Sequence, residues 1–235
     1  RITSMVCDSA ENIYLGGWYN GQIFNHSSSG EIDLFVFKID SNFQLGWSKS
    51  EGGVNQDVCT QIYHQNGKIF GTGYFGAMRT PGAFGLSSSG TYNGLFFELN
   101  ASTGNVLGAE NMGGSGLEYV WAITGNKRDK IWITGSMTRD LILRNQRFSN
   151  ATGEDFFLAE WNEAGRNWNW IRRSSLGGNE RINHLQYAQN QLFLGGFAGT
   201  QFQYDQVNTA SPNGINGILG SIDTLGNALW WLRPS

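Results

Sequence analysis

The sequence predicts an all-β chain folded as a β-propeller: four repeated four-stranded antiparallel blades, closed into a small ring or forming a segment of a larger one. Three observations carry that expectation. The composition is rich in glycine and aromatics and poor in charge. A unit of about sixty residues recurs four times. The third strand of each unit is apolar on both faces.

Glycine makes up 33 of 235 residues, about twice its usual share of ~7%. Charged residues make up 15%, well under the usual ~25%. Aromatic residues reach 14%. Such a chain suits short strands joined by many turns, and it does not suit long helices or disorder. A formal charge of -3 excludes a binder of nucleic acid or anionic membrane that works through bulk electrostatics. No run of eighteen apolar residues is present, so no membrane insertion is expected. The chain starts at Arg1 without a basic-then-apolar leader, which reads as a soluble piece, processed or cut from something larger.

The repeat is set by two blocks. Ile13-Tyr14-Leu15-Gly16-Gly17 returns at Ile69–Gly73, Ile131–Gly135 and Leu192–Gly196, with spacings of 56, 62 and 61 residues. Asp33–Asp40 returns at Asn93–Asn100, Asp155–Asn162 and Asn216–Asp223, with spacings of 60, 62 and 61. Two blocks sharing one period define blades at about 1–51, 52–112, 113–176 and 177–235. The first strands are expected near 2–7, 58–63, 119–124 and 182–187. The two blocks supply the second and third strands. Asp40, Asn100, Asn162 and Asp223 stand at the turns into the fourth strands, where Asp and Asn bond their own downstream backbone. The fourth strands carry the aromatic endings Trp47, Trp168, Trp170, Trp230 and Trp231.

The third strand indicates how units pack. Phe35, Phe37 and Ile39 alternate, yet Val36 between them is apolar, as are Phe96, Leu158 and Leu219 at its equivalents. Both faces are therefore expected to be covered, which a sheet achieves between two similar sheets. The chain opens on a first strand and closes on a fourth, so it should hold whole blades with no strand left to lock a ring.

The run Asp33–Trp47, followed by Gly52-Gly53 and Asp57, resembles the bacterial SBBP β-propeller repeat, as does the run Asn66–Gly73. That repeat reads roughly Asp-x-Phe-Val-x-Lys-Leu-Asp, a glycine turn, a Trp, Gly-Gly, then Gly-Asn-Ile-Tyr-Val-Thr-Gly. The fourth unit departs from it, with Gly220 and Ser221 in place of the Phe-Lys pair. The resemblance covers essentially the whole chain, and its motif residues are structural. It implies a secreted or cell-surface bacterial protein, often large and multidomain, in which further blades or domains of the same parent chain are possible partners.

Chemistry-bearing motifs are sparse. Gly71-Thr-Gly-Tyr-Phe-Gly76 fits a dinucleotide fingerprint in letters only, because it ends a repeated strand and runs into a loop through Arg79–Gly82 rather than opening a helix. His26, His64 and His184 fall at different repeat positions and read as solvated loop or strand residues. With Cys7 and Cys59 they make no zinc set, and the two cysteines read as small buried hydrophobes. No cofactor is expected. The one repeated candidate is Asp57, Glu118 and Glu180, each just after a Gly-Gly pair and before a first strand. At the rim of a propeller channel they could hold calcium or a hydroxyl-rich ligand. Equally, they could bond exposed backbone of neighbouring blades.

The long segments 20–31, 76–92, 137–153 and 198–215 contain Phe24, Phe84, Tyr92, Phe148, Phe202 and Tyr204. These suit a sugar or peptide surface, or they cover blade edges. The leading expectation is a non-catalytic protein-interaction or adhesion module that binds protein or glycan at its loop-bearing face. The alternative is a carbohydrate-binding or carbohydrate-processing domain.

Overall fold

The computed structural model describes residues 1–76, 84–88, 92–149, 153–175, 178–210 and 214–233. The Arg79–Gly82 loop and parts of the long segments lie outside the described residues. No helix occurs among the described residues, and the sheets are built almost wholly from antiparallel pairs. In chain order the first repeat supplies β1 (Ile2–Cys7), β2 (Ile13–Tyr19), the short β3 (Gln22–Ile23) and β4 (His26–Ser27), β5 (Asp33–Ile39) and β6 (Leu45–Glu51). The second supplies β7 (Asp57–Gln65), β8 (Lys68–Phe75), β9 (Asn93–Asn100) and β10 (Val106–Gly113). The third supplies β11 (Glu118–Gly125), β12 (Lys130–Met137), β13 (Asp140–Leu143), β14 (Gln146–Ser149), β15 (Gly153–Asn162) and β16 (Asn167–Arg173). The fourth supplies β17 (Gly178–Asn179), β18 (Arg181–Ala188), β19 (Gln191–Ala198), β20 (Gln201–Tyr204), β21 (Val207–Ala210), β22 (Asn216–Asp223) and β23 (Ala228–Leu232).

Each repeat contributes one up-and-down sheet: β1-β2-β5-β6, β7-β8-β9-β10, β11-β12-β15-β16 and β18-β19-β22-β23. We call these sheets 1 to 4. The turns form as their residues dictate. Asp40 Oδ1 accepts from Asn42 N and Gln44 N at 2.9 and 2.8 Å. Asn100 and Asp223 repeat this on Ser102 and Leu225, both at 2.9 Å.

The long segments are not plain loops. β3–β4, β13–β14 and β20–β21 are two-stranded hairpins. The third repeat's hairpin reaches back, and β13 pairs with β10, so sheet 2 has six strands rather than four. The fourth repeat's hairpin also reaches back, where Ser175 N donates to Gln203 O at 2.9 Å.

Three apolar clusters fill the spaces between consecutive sheets. Tyr14, Leu34 and Val36 of sheet 1 meet Cys59, Ile62 and Phe97 of sheet 2. Phe70 and Phe96 of sheet 2 meet Val120, Ile123 and Trp161 of sheet 3. Trp132, Phe156 and Leu158 of sheet 3 meet Ile182, Leu185 and Leu194 of sheet 4. The first strands lie side by side, β1 on β7, β7 on β11 and β11 on β18. Polar side chains lock each step. Thr3 Oγ1 donates to Cys59 O at 2.6 Å and Thr60 Oγ1 to Val120 O at 2.7 Å. Thr134 Oγ1 lies 3.4 Å from Ile182 O. In the other direction Ser4 Oγ accepts from Ile62 N at 3.1 Å, and Gln61 Oε1 from Ile123 N at 2.9 Å.

Two expectations are corrected. Both faces of the third strand are covered in β5, β9 and β15 but not in β22, where Leu219 is 48% exposed because no sheet lies beyond sheet 4 among the described residues. Cys59 is buried as expected, whereas Cys7, at the end of the first strand of sheet 1, is exposed; both are free thiols.

The packing makes a paired prediction. A Cβ at Gly71 would fall on the ring of Phe97, while a Cβ at Gly217 would meet nothing within 4 Å. In urea denaturation Gly71→Ala should lose about 1–3 kcal/mol by overpacking, and Gly217→Ala should be indistinguishable from the parent chain. Equal losses at both positions would contradict the seating of the Phe97 ring on the Gly71 backbone of the neighbouring strand.

Candidate functional site

The three predicted acids stand where the repeat put them, at or next to the start of β7, β11 and β18. They do not face solvent: Asp57, Glu118 and Glu180 are each 0% exposed. Their backbone N–H groups donate to Ile32 O, Tyr92 O and Glu154 O of the preceding repeat, at 2.9, 3.1 and 2.7 Å. Asp57 also binds loop backbone through its carboxylate, accepting from Gly53 N at 2.8 Å and Gly76 N at 3.2 Å. The Gly-Gly pairs have a steric reason, because a Cβ at Gly178 would strike the Glu180 carboxylate.

Each acid lies near a second one. Burial, followed by the charges of Asp33 and Glu51, pushes Asp57 up to about 7 against the two backbone donors. Burial and then Asp140 push Glu118 up to about 8. Burial and then Asp155 push Glu180 up to about 8. What ties each of these residues to the preceding repeat is its backbone N–H bond. Among the described residues no three His, Cys, Asp or Glu side chains gather closely enough to hold a metal ion.

The loop aromatics divide into two groups. Phe84, Phe202 and Tyr204 are buried in the inter-sheet clusters, and Phe148 packs against one. Phe24 lies edge-on to Phe37 with ring centroids 4.9 Å apart. These side chains cover sheets. Tyr92 is half-buried and belongs to something else.

Tyr92 is one end of a tiled row of rings that crosses three repeats. Its ring meets Tyr74 of β8 at 5.7 Å and Tyr119 of β11 at 6.2 Å. Tyr74 meets Tyr119 edge-to-face at 4.8 Å. Tyr119 stacks on Trp121 at 5.0 Å with ring planes 24° apart. The Arg181 guanidinium lies over Trp121 at 4.5 Å and over Phe197 at 5.6 Å. All of these side chains are half-buried, so each presents some surface to solvent.

The row is held in place from below. Trp121 Nε1 donates to Ser136 Oγ at 2.9 Å, which orients the indole. Glu154 takes the Arg181 fork through both Nε and Nη2, at 2.8 to 3.1 Å. Burial, then the neighbouring phenols, hold Tyr74 and Tyr119 above the usual phenol range, so both hydroxyls remain donors at neutral pH. Aromatic faces with phenol and guanidinium donors at their edges match the chemistry of a ligand with apolar faces and polar rims.

A second hollow, of about 440 Å³, lies beside the β3–β4 hairpin and is lined by Tyr19, Asn25, His26, Ser29, Asp33 and Glu51. His26 Nε2 and Ser48 Oγ share a hydrogen bond of 2.8 Å next to it. The histidines stay apart: His64 stacks on Tyr14 at 5.8 Å, and His184 lies exposed on β18.

The sequence singled out only Tyr92 of the aromatic row. One signal was available: Trp18, Tyr74 and Phe197 occupy the same position after the repeated Ile-Tyr-Leu-Gly-Gly block, with Ser136 in the third repeat.

No family model matches the chain. No curated protein matches it either. Among solved structures, 98% of the chain aligns with 82% of a Bacteroides fragilis protein provisionally described as a 6-phosphogluconolactonase, at 9% identity and a TM-score of 0.35. Neither fold nor activity is drawn from a likeness at that level.

The buried acids predict a pH dependence. The folded state holds protons that an unfolded glutamate, with an ordinary value of 4.5, releases. Their contribution is therefore complete below about 4.5 and is lost as pH rises through about 8. The melting temperature should fall over that window, and Glu118→Gln with Glu180→Gln should flatten the fall. A profile unchanged by both substitutions would show the carboxyls to be ionised in the fold.

Proposed function

We propose that this chain is a β-propeller segment of four blades whose Tyr92–Tyr74–Tyr119–Trp121–Arg181 surface binds carbohydrate. The propeller reading is supported by four up-and-down sheets in sequence with their first strands side by side. The carbohydrate reading rests on one observation, the tiled and partly exposed rings closed by a pinned arginine. Sugar rings offer C–H faces to aromatic planes and hydroxyls to the phenols and guanidinium around them. A row of rings spanning three repeats suits an extended chain better than a single sugar.

The SBBP kinship and the exterior location belong to the same proposal and rest on the resemblance of the motif residues. The adhesion role has only that resemblance behind it, whereas the carbohydrate role has a surface. The polar hollow beside Asp33 and Glu51 lies on the same repeat architecture and offers a second place for hydroxyl-rich groups.

The test is a glycan array followed by calorimetry on the glycans retained, with reducing ends assayed in parallel. Retention without new reducing ends is expected for a binding module. Trp121→Ala and Tyr119→Ala should each weaken binding by about tenfold or more, measured well below the melting temperature of each variant. A blank array, or binding indifferent to both substitutions, would remove the carbohydrate reading.

A further inference from the structure

The three junctions between consecutive sheets share one apolar register, and sheets 1 and 4 each leave one half of it uncovered among the described residues. At one position on the third strand, Val36, Phe96 and Leu158 are 0–1% exposed beneath the next sheet, yet Leu219 of sheet 4 is 48% exposed. Phe193 stands where Tyr14, Phe70 and Trp132 are fully buried. Trp230 joins it on this outward face, with ring centroids 6.5 Å apart. Two adjoining hollows of about 520 and 340 Å³ are lined here by His184, Phe193, Gly195, Gly217 and Leu219, among others.

Sheet 1 carries the opposite half. Ile2 and Met5 are 57% and 62% exposed. Their register equivalents, Cys59 and Ile62, Val120 and Ile123, Ile182 and Leu185, are all buried against the preceding sheet. Phe24 repeats the pattern: it is 58% exposed, whereas Phe84 and Phe202 from the same segment of later repeats are buried in junctions.

The polar lock of the first two junctions is split in the same way, whereas the third has Trp121 and Ala122 at these positions and uses Thr134 Oγ1 near Ile182 O instead. Thr3 and Thr60 donate to the carbonyls of Cys59 and Val120 on the next first strand. Asn183 is the exposed residue at that donor position on β18, and Ile2 O is the carbonyl at that acceptor position on β1. Ser4 and Gln61 accept from the N–H groups of Ile62 and Ile123. His184 stands at that acceptor position, and Met5 N at that donor position.

We propose that the outward face of sheet 4, through Phe193, Leu219, Asn183 and His184, receives the β1 face of a second copy of this chain, through Ile2 and Met5, as a head-to-tail repetition of the junction already used three times within the chain. The argument for this occupant is continuity. A sheet of the same repeat meets the apolar positions and both halves of the hydrogen-bond register together. Each copy carries one face of each kind, so the contact is heterologous and closes or propagates.

Light scattering on a sizing column, over a concentration series, tests the proposal. The expected mass at high concentration is twice 26.0 kDa. Leu219→Arg on one face and Met5→Arg on the other should each shift the chain to the single-copy mass without lowering its melting temperature, since both side chains are exposed in one copy. Gly217→Glu is a further variant, because a Cβ there meets nothing within 4 Å. An equimolar mixture of Leu219→Arg and Met5→Arg chains should regain association, since each variant retains the face the other has lost. A single-copy mass at every concentration would overturn the proposal. So would association that survives either arginine, or a mixture that stays dissociated.

Discussion

A sheet that is oily on both sides has to be roofed on both sides. This constraint governs the whole molecule. The third strands present Leu34-Phe-Val-Phe37, Leu95-Phe-Phe97 and Phe156-Phe-Leu158 without polar relief, and in water each such side chain left bare forgoes roughly 1.5–3 kcal/mol. One sheet therefore recruits the next. Glycine at the second-strand positions lets the rings of a neighbouring strand sink to the backbone, as Phe97 does over Gly71 and Phe157 over Gly135. The threonine-to-carbonyl bonds between first strands then fix the register that the apolar contacts leave loose.

Polar burial follows the same geometry. The loop that ends one repeat must turn sharply into the next first strand, and it leaves backbone donors near the start of that strand. Asp57 satisfies one of them, Gly53 N, and also takes Gly76 N just past the end of β8. Two carboxyls set close together in such a place cannot both carry charge cheaply, so burial and the neighbouring acid raise Glu118 and Glu180 above the usual carboxylate range. Asp57, Glu118 and Glu180 share one further feature, a backbone N–H bonded to a carbonyl of the preceding repeat.

Much of this was legible in the letters. The strand blocks recur with aligned spacing, and Asp40, Asn100 and Asp223 announce their turns through side-chain chemistry that acts within a few residues. The hairpins were not legible, for a local reason. Their two-residue turns need positive φ, which Asn-Gly pairs usually signal. Here Phe24, Arg144 and Asp205 adopt φ of 50°, 53° and 54° instead, so the customary punctuation is missing. The aromatic row was hidden for a different reason. Its members come from β8, β11, β18 and β19 and the residue before β9, and only the packing of one sheet on another brings them into line. The exposure of Leu219 and Cys7 was not legible because a repeat predicts the average unit, while sheets 1 and 4 each adjoin one other sheet among the described residues.

The β13–β14 hairpin has a further consequence. It is encoded in the third repeat but completes the outer border of the sheet made by the second. Sequence period and three-dimensional partition therefore fall out of step along this polypeptide. Excision of the third repeat would strip a border from sheet 2, which is otherwise intact, and a module cut from the second repeat alone would lack its fringe. Such interleaving favours all-or-none melting over peeling from one end.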